Sequence, residues 1–401
     1  MKKLLLIICT LLGSMVNLQA HSLAGYPVIP ENTQISLLTC SPGELIYELF
    51  GHTAIRVLDP SNGVDFVVNY GLFDFDQPHF VYRFVRGKTD YMVGLSYTSS
   101  FINSYAQRGS SITESMLNLT VAEKAAMIDR LNEHLLPDNR VYRYNFIYNN
   151  CATKVRDMIE MSLDRKILYP THVDSYSFRE SLMLYTKHAP WSQLGFDLCL
   201  GRGADRTATQ RETFYLPEIL GATYASATIA DSTGKQPLSK QTHLLLTGTH
   251  INDGSGWFSP TLCAYILLLG TMYASFFLRK HKKWLEVFDV VIFTLNAVGG
   301  TIILFLILYS QHPFTGQNYN IIWMNPLTYF PLVATIFPFL KKINGLFYFG
   351  ATVMCLGFII LMPILPQHFN LAVLPWVLTM LLRAYLRFSE IRERHKNRMR
   401  M

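Results

Sequence analysis

From Trp257 onward the chain is dominated by apolar stretches near the thickness of a bilayer core, and this constrains its fold more than any other feature. Inside lipid hydrocarbon no water satisfies backbone amides, so such stretches are expected to fold as helices. A span needs about 20 apolar residues, and five stretches approach that length: 257–278, 285–309, 321–340, 343–365 and 371–388. The expectation is an all-α region of five transmembrane helices over 257–388, followed by a basic tail at 389–401.

Charge orients these spans. Arg279, Lys280, Lys282 and Lys283 follow the first, Lys341 and Lys342 the third, and Arg387, Arg392, Arg394, Lys396, Arg398 and Arg400 lie at or beyond the end of the fifth. The connections 310–320 and 366–370 contain no Lys or Arg. Basic flanks stay cytoplasmic, which places the C-terminus in the cytoplasm and everything before Trp257 outside it. Asp289, a few residues into the second stretch, is expected at the membrane interface rather than in a catalytic role.

The first twenty residues agree. Lys2 and Lys3 precede a short apolar run, Leu4 to Leu12, and the stretch closes on Leu18-Gln19-Ala20. That is the form of a secretory signal peptide over 1–20, with the mature chain starting near His21. The alternative, an uncleaved first anchor, is disfavoured because the run is too short to span.

Residues 21–256 mix charged, aromatic and turn residues and are long enough to bury a core of their own. They hold 20 Lys and Arg against 24 Asp and Glu, net −4, whereas 257–401 hold 13 against 4, net +9. With Lys2 and Lys3 this gives the overall +7, so the basic excess is topological and does not indicate nucleic acid. The small, polar stretch 226–241 reads as a loop or linker to the membrane region.

Three cysteines remain once those in the leader and the apolar stretches are set aside: Cys40, Cys151 and Cys199. An odd number in an oxidising compartment leaves at least one thiol free or paired between molecules. A Cys40–Cys199 disulfide is open to them, and spacing alone does not decide it.

Cys151 stands out by its surroundings. Val155, Met158, Ile159 and Leu163 recur at helical spacing, and Asn149 or Asn150 is a suitable N-cap, so Cys151 is expected in the first turn of a helix. Unpaired N–H groups and the helix dipole favour a thiolate there, and the same N–H groups suit an oxyanion. Tyr148 and Asn150 are candidates to complete an oxyanion site or, equally, to pack or cap.

A general base must come from elsewhere. Residues 50–58 read as a strand with Thr53, Ile55 and Val57 on one face and His52, Ala54 and Arg56 on the other. Gly51 before His52 permits close backbone approach. For a third group to orient the imidazole, the next strand offers Asn69, with Asp65 and Asp74 as alternatives. The histidines and cysteines lack the close paired spacing of zinc motifs, so neither metal nor dissociable cofactor is expected.

Gly51-His52-Thr53-Ala54-Ile55-Arg56-Val57, Asn69-Tyr70-Gly71, Phe73-Asp74-Phe75 and Tyr148-Asn149-Asn150-Cys151-Ala152-Thr153 together resemble the exported domain of the Lnb-type lipoprotein N-acyltransferases of Bacteroides and relatives. Leu200-Gly201, Asp205-Arg206 and Phe214-Tyr215-Leu216-Pro217 fit the same pattern. The resemblance implies an α/β, circularly permuted papain-like (NlpC/P60-like) periplasmic domain over 21–256, with histidine preceding cysteine. It also implies a multi-pass protein of the bacterial inner membrane. The implied reaction moves a fatty acyl group from a membrane phospholipid, through a Cys151 thioester, to the α-amino group of a diacylated lipoprotein's N-terminal cysteine. Under it Cys151, His52 and Asn69 are the catalytic residues. A membrane-anchored cysteine peptidase or amidase acting on peptidoglycan would use the same pair, and a scaffold would need neither.

Overall fold

The computed structural model describes residues 21–399 except 75, 171–174, 233 and 250–257. The expected leader and its cut lie outside the described residues. Seven of the strands among the described residues build the main sheet of the N-terminal domain: β1 (Gln34–Cys40), β2 (His52–Asp59), β3 (Val64–Leu72), β4 (Asp90–Tyr97), β5 (Ile112–Leu117), β6 (Val141–Arg143) and β7 (Ser239–Leu246). They form one sheet in the order β7-β5-β1-β2-β3-β4-β6, and every pairing is antiparallel. The domain mixes helix and strand, but its wholly antiparallel sheet makes it α+β rather than the α/β class expected, since no parallel crossover connections are present in this sheet.

Alternation along the strands gives the sheet two apolar faces. Ile35, Leu37, Ile55, Val57 and Val68 point to one of them. There they meet Met127 and Leu131 of α2 (Val121–Leu135), Val155 and Ile159 of α3 (Cys151–Ser162), and Leu220 and Tyr224 of α4 (Pro217–Ser226). Leu38, Cys40, Ala54 and Val67 point the other way, to Phe101 and Tyr105 of α1 (Thr98–Gln107). Roughly 1.5–3 kcal/mol for each large side chain buried makes this packing, rather than local propensity, the force that lays α3 across β2 and β3.

The stretch 226–241 is not a linker. Thr228–Asp231 and Gly234–Pro237 form a hairpin, and Ser239 opens β7, an edge strand of the main sheet. Ala227, Ile229 and Leu238 are buried; so few apolar side chains among small polar ones hide the two-residue period from composition.

The C-terminal region contains α5 (Pro260–Phe277), α6 (Lys282–Tyr309), α7 (Asn344–Leu361) and α8 (Val373–Met399). Three segments are long and apolar enough to cross a membrane: Pro260–Phe277, Lys282–Tyr309 and Pro338–Leu361. The expected third span is not a continuous helix. Tyr319–Ile322, Pro326–Tyr329 and Pro338–Ile343 are 3-10 turns around a seven-residue helix, Phe330–Ile336. Pro326, Pro331 and Pro338 each remove a helical donor. The broken backbone is enclosed: Asn296 Nδ2 donates to Trp323 O at 2.9 Å, and Gly300 lies so close to Asn325 that a Cβ would fall 2.4 Å from its Cα. The fifth stretch is helical and runs on through the expected tail to Met399.

Asp289, a few residues inside the start of α6, is enclosed by protein. It is 1 % exposed and binds Arg383 of α8 through both oxygens, at 2.6 and 2.9 Å, while Arg383 also donates to Ser275 of α5 at 2.9 Å. One ion pair thus ties three helices.

The two connections without Lys or Arg are the ones that meet the N-terminal domain. Phe314 O accepts the Gly201 N–H, Asn318 and Asn320 donate to Leu198 O, and Gln367, His368 and Asn370 bind Leu200 O, Asp205 and Asp197. On the domain side, Arg179 joins Asp197 and Asp205 beneath these contacts.

Removing one member of a buried pair strands the other charge, at a cost of about 3–5 kcal/mol. Arg383→Met is therefore expected to lower the thermal midpoint in detergent, and Asp289→Leu combined with Arg383→Met to recover most of the loss. Equal midpoints for the single variant and the wild type would show that the pair does not hold the bundle.

Candidate active site

The site is assembled from a helix start and two neighbouring strands. Asn150 is the N-cap of α3: its Oδ1 accepts the Thr153 N–H at 2.9 Å, and Thr153 Oγ1 accepts the Asn150 N–H at 2.8 Å. Its Nδ2 donates to Phe146 O and Tyr215 O at 2.9 and 2.8 Å, which anchors the helix start to two further segments. Cys151 is thereby held at the first helical position. All of Asn150's side-chain atoms are engaged, so it supports the helix and has no donor left for an oxyanion.

His52 opens β2 opposite Cys40. Gly51 before it has φ +73°, and a Cβ there would lie 2.5 Å from Cys40 O, so only glycine allows this strand start. Asn69 Oδ1 lies 2.6 Å from His52 Nε2. With Oδ1 accepting, Nε2 carries the proton and Nδ1 is left to face the thiol. Gly71 follows at a bulge in β3 with φ +95°; a Cβ on it would stand 3.6 Å from Cys151 Cβ and 3.8 Å from His52 Cε1. The structure therefore brings Cys151, His52 and Asn69 into one cluster.

The other candidates lie elsewhere. Asp65 binds Arg56 at 2.8 Å and accepts from Thr98, and Asp74 accepts the Asp76 N–H in an exposed turn. Tyr148 is half exposed, with its ring edge-on to Phe314 and its hydroxyl bonded to Arg206. Cys40 and Cys199 are free thiols, so the disulfide between them is not formed.

Burial alone would push the Cys151 thiol up. Against it act the His52 charge and hydrogen bond, and the backbone N–H groups of Thr53 and Ala152, which together hold it below the ordinary thiol range. For His52, burial favours the neutral ring, but Cys151 and Asn69 outweigh it and raise the imidazole. Both shifts favour a thiolate–imidazolium pair, the reactive form of a catalytic cysteine.

A surrounding set of tyrosines escaped the sequence reading. Tyr105 stacks on His52 at 6.3 Å. Tyr91, pushed up to about 12 by burial and then by the Cys151 charge, stacks on Tyr144 at 4.0 Å, and Tyr142 and Tyr144 are raised in the same way. The available signal was the Tyr142-Arg143-Tyr144 run shortly before Cys151, which without tertiary structure looks like ordinary strand composition.

Sheet, helices and site define a membrane-integral protein whose N-terminal domain carries a clustered thiol, imidazole and carboxamide. A family model described as the Lnb N-terminal periplasmic domain matches residues 27–179, and one described as the Lnb transmembrane domain matches 252–394. The chain belongs to the Lnb family of lipoprotein N-acyltransferases, as an inner-membrane protein with a periplasmic domain. No curated protein and no solved structure matches it.

Lowering Cys151 and raising His52 both favour the charged pair over the neutral one and extend thiolate reactivity toward lower pH. Alkylation of Cys151 by iodoacetamide is expected to stay fast well below the ordinary thiol range. His52→Ala should move the inflection of rate against pH upward, and Asn69→Ala should move it less. An inflection that stays put in His52→Ala would refute the pairing.

Proposed function

We propose that this protein transfers a fatty acyl group from a membrane phospholipid to the α-amino group of the S-diacylglyceryl cysteine that begins a lipoprotein. The observation that carries the proposal is a thiol paired with His52 and Asn69 in a domain clamped to a membrane region, in a chain of the Lnb family. Donor and acceptor both reside in the bilayer, so a site held at its surface meets them at high effective concentration.

Cys151 Sγ attacks the ester carbonyl, and the backbone N–H groups at the helix start are suited to receive the developing oxyanion. The carbon–oxygen bond to glycerol breaks, and His52 gives its proton to the departing lysophospholipid hydroxyl. The lipoprotein amine then attacks the thioester and loses a proton to His52. The amide forms as the thiolate leaves, which restores the starting pair. Asn69 keeps the ring in the tautomer that both steps require.

The domain is read as a circularly permuted papain-like fold. The order His52 then Cys151 supports this, as does a helix-borne cysteine packed on an antiparallel sheet that carries the histidine. Five crossings are read by counting the broken segment and α8 as the third and fifth. Contact between the N-terminal domain and the connections 310–320 and 366–370 supports a cytoplasmic C-terminus.

Cys151→Ala is expected to abolish transfer in a folded, membrane-inserted protein, and His52→Ala to slow it by about 10²–10⁴-fold. Phospholipid with a radiolabelled acyl chain should label the wild type in a form that hydroxylamine releases, and leave Cys151→Ala unlabelled. Mass spectrometry of lipoprotein N-terminal peptides from cells with and without the gene reads the product. Normal N-acylation by Cys151→Ala would end the proposal.

A further inference from the structure

The reading above leaves open how an acyl chain leaves the bilayer and reaches a buried thiol. After Gly71, where a Cβ would stand 3.6 Å from that of Cys151, come Leu72 and Phe73 and then a short helix, Phe80–Val85. This helix is bound to the domain-side end of α6. Ser310 Oγ donates to Val85 O at 2.8 Å, Gln311 N to Arg86 O at 2.9 Å, and His312 Nε2 reaches Phe84 O at 2.5 Å. A Cβ on Gly87 would stand 2.9 Å from His312 N, so the two backbones are in direct apposition.

The Tyr82 ring lies 6.2 Å from Phe305. Phe305 is one turn, about 5.4 Å, inside the end of α6, so Tyr82 reaches below the level at which that span ends. Val81 is 72 % exposed. Aromatic side chains continue inward from this helix. Phe84 stacks on Phe80 at 6.2 Å, Phe80 on Phe73 at 5.9 Å, and Phe73 on Tyr91 at 4.9 Å. Tyr91 stacks in turn on Tyr144, and both feel the Cys151 charge. A helix this apolar, held against a span end, belongs at the bilayer interface, where aromatic rings are favoured.

One cation completes the surface. Arg83 is paired with Asp90, but Arg86 has no carboxylate partner among the described residues. Its Nε is buried without a hydrogen bond, and its guanidinium lies over the Tyr82 ring at 5.7 Å. Its Nη1 donates to the Tyr82 hydroxyl at 3.3 Å, and a guanidinium held this way without a carboxylate is suited to a phosphate.

We propose that Phe73 and the helix Phe80–Val85 with Arg86 form the donor-lipid site: the acyl chain of a membrane phospholipid follows the aromatic run from Phe84 through Phe80 and Phe73 to Tyr91 up to Cys151, and Arg86 takes that lipid's phosphate. The proposal rests on the acyltransferase reading, and its test separates the two. The full-length protein in phosphatidylglycerol vesicles is supplied with long-chain phospholipid and, separately, with water-soluble p-nitrophenyl acetate, which needs no track. Val81→Glu is expected to lower the ratio of the two acylation rates at least tenfold. Arg86→Ala should lower the rate with phospholipid severalfold relative to that with a diacylglycerol of the same chains. In Cys151→Ala, a phospholipid with a diazirine midway along its chain should crosslink within residues 72–91. An unchanged ratio in Val81→Glu, or crosslinks confined to the membrane helices, overturns the proposal. A wild type that forms no thioester with either donor overturns the acyltransferase reading and this site with it.

Discussion

The guanidinium of Arg179 is the contact on which the relation between the two halves depends. It is 1 % exposed, yet it binds Asp197 at 3.2 Å, Asp205 at 2.8 Å and the carbonyls of Leu200 and Gly201 at 2.9 and 3.1 Å. A buried cation is tolerable only when its donors are this fully used. The two carboxylates then reach outward, Asp197 to Asn370 Nδ2 at 2.8 Å and Asp205 to the His368 N–H at 3.2 Å. One charge thus shapes the surface on which the membrane region's connections rest, and with it the height of Cys151 relative to the helices.

Cys40 and Cys151 show that residue type alone does not make a reactive thiol. Both are deeply placed beside His52, one across the strand pair and one at a helix start. Burial pushes Cys40 far above the ordinary thiol range, and its hydrogen bond from Tyr105 does not compensate. Cys151 suffers the same desolvation but receives the imidazole and two backbone N–H groups, and the balance reverses. The difference is one of position: at the helix start Cys151 meets the imidazole and the N–H groups of Ala152 and Thr53, and Cys40 meets neither.

The parts legible in the sequence were those written in local pattern. The cap at Asn150, the alternation around His52 and the Lys/Arg-free connections each follow from a few adjacent residues, and the structure shows the same local geometry. What was missed depends on distant partners. The pairing of Asp289 is invisible until Arg383, 94 positions later, is placed against it. The stretch 321–340 has the composition of a span, but its three prolines break the helix, and Asn296 and Gly300 on α6 make room for the irregular backbone. Residues 226–241 look like a linker because their few buried apolar positions, Ala227, Ile229 and Leu238, are scattered among small polar ones. The tyrosines around Cys151 come from separate strands and meet only in the folded sheet.

The Asp289–Arg383 pair also bears on how the protein is made. Synthesis runs from the N-terminus, so α6, with its aspartate, leaves the ribosome long before α8 does. A buried arginine is costly unless paired, and α8 carries Arg383 and Arg387, both against Asp289. The carboxylate already in place is the counter-ion that the last helix needs on arrival. The earlier helix thus holds, in one carboxylate, the partner for both arginines of the later one.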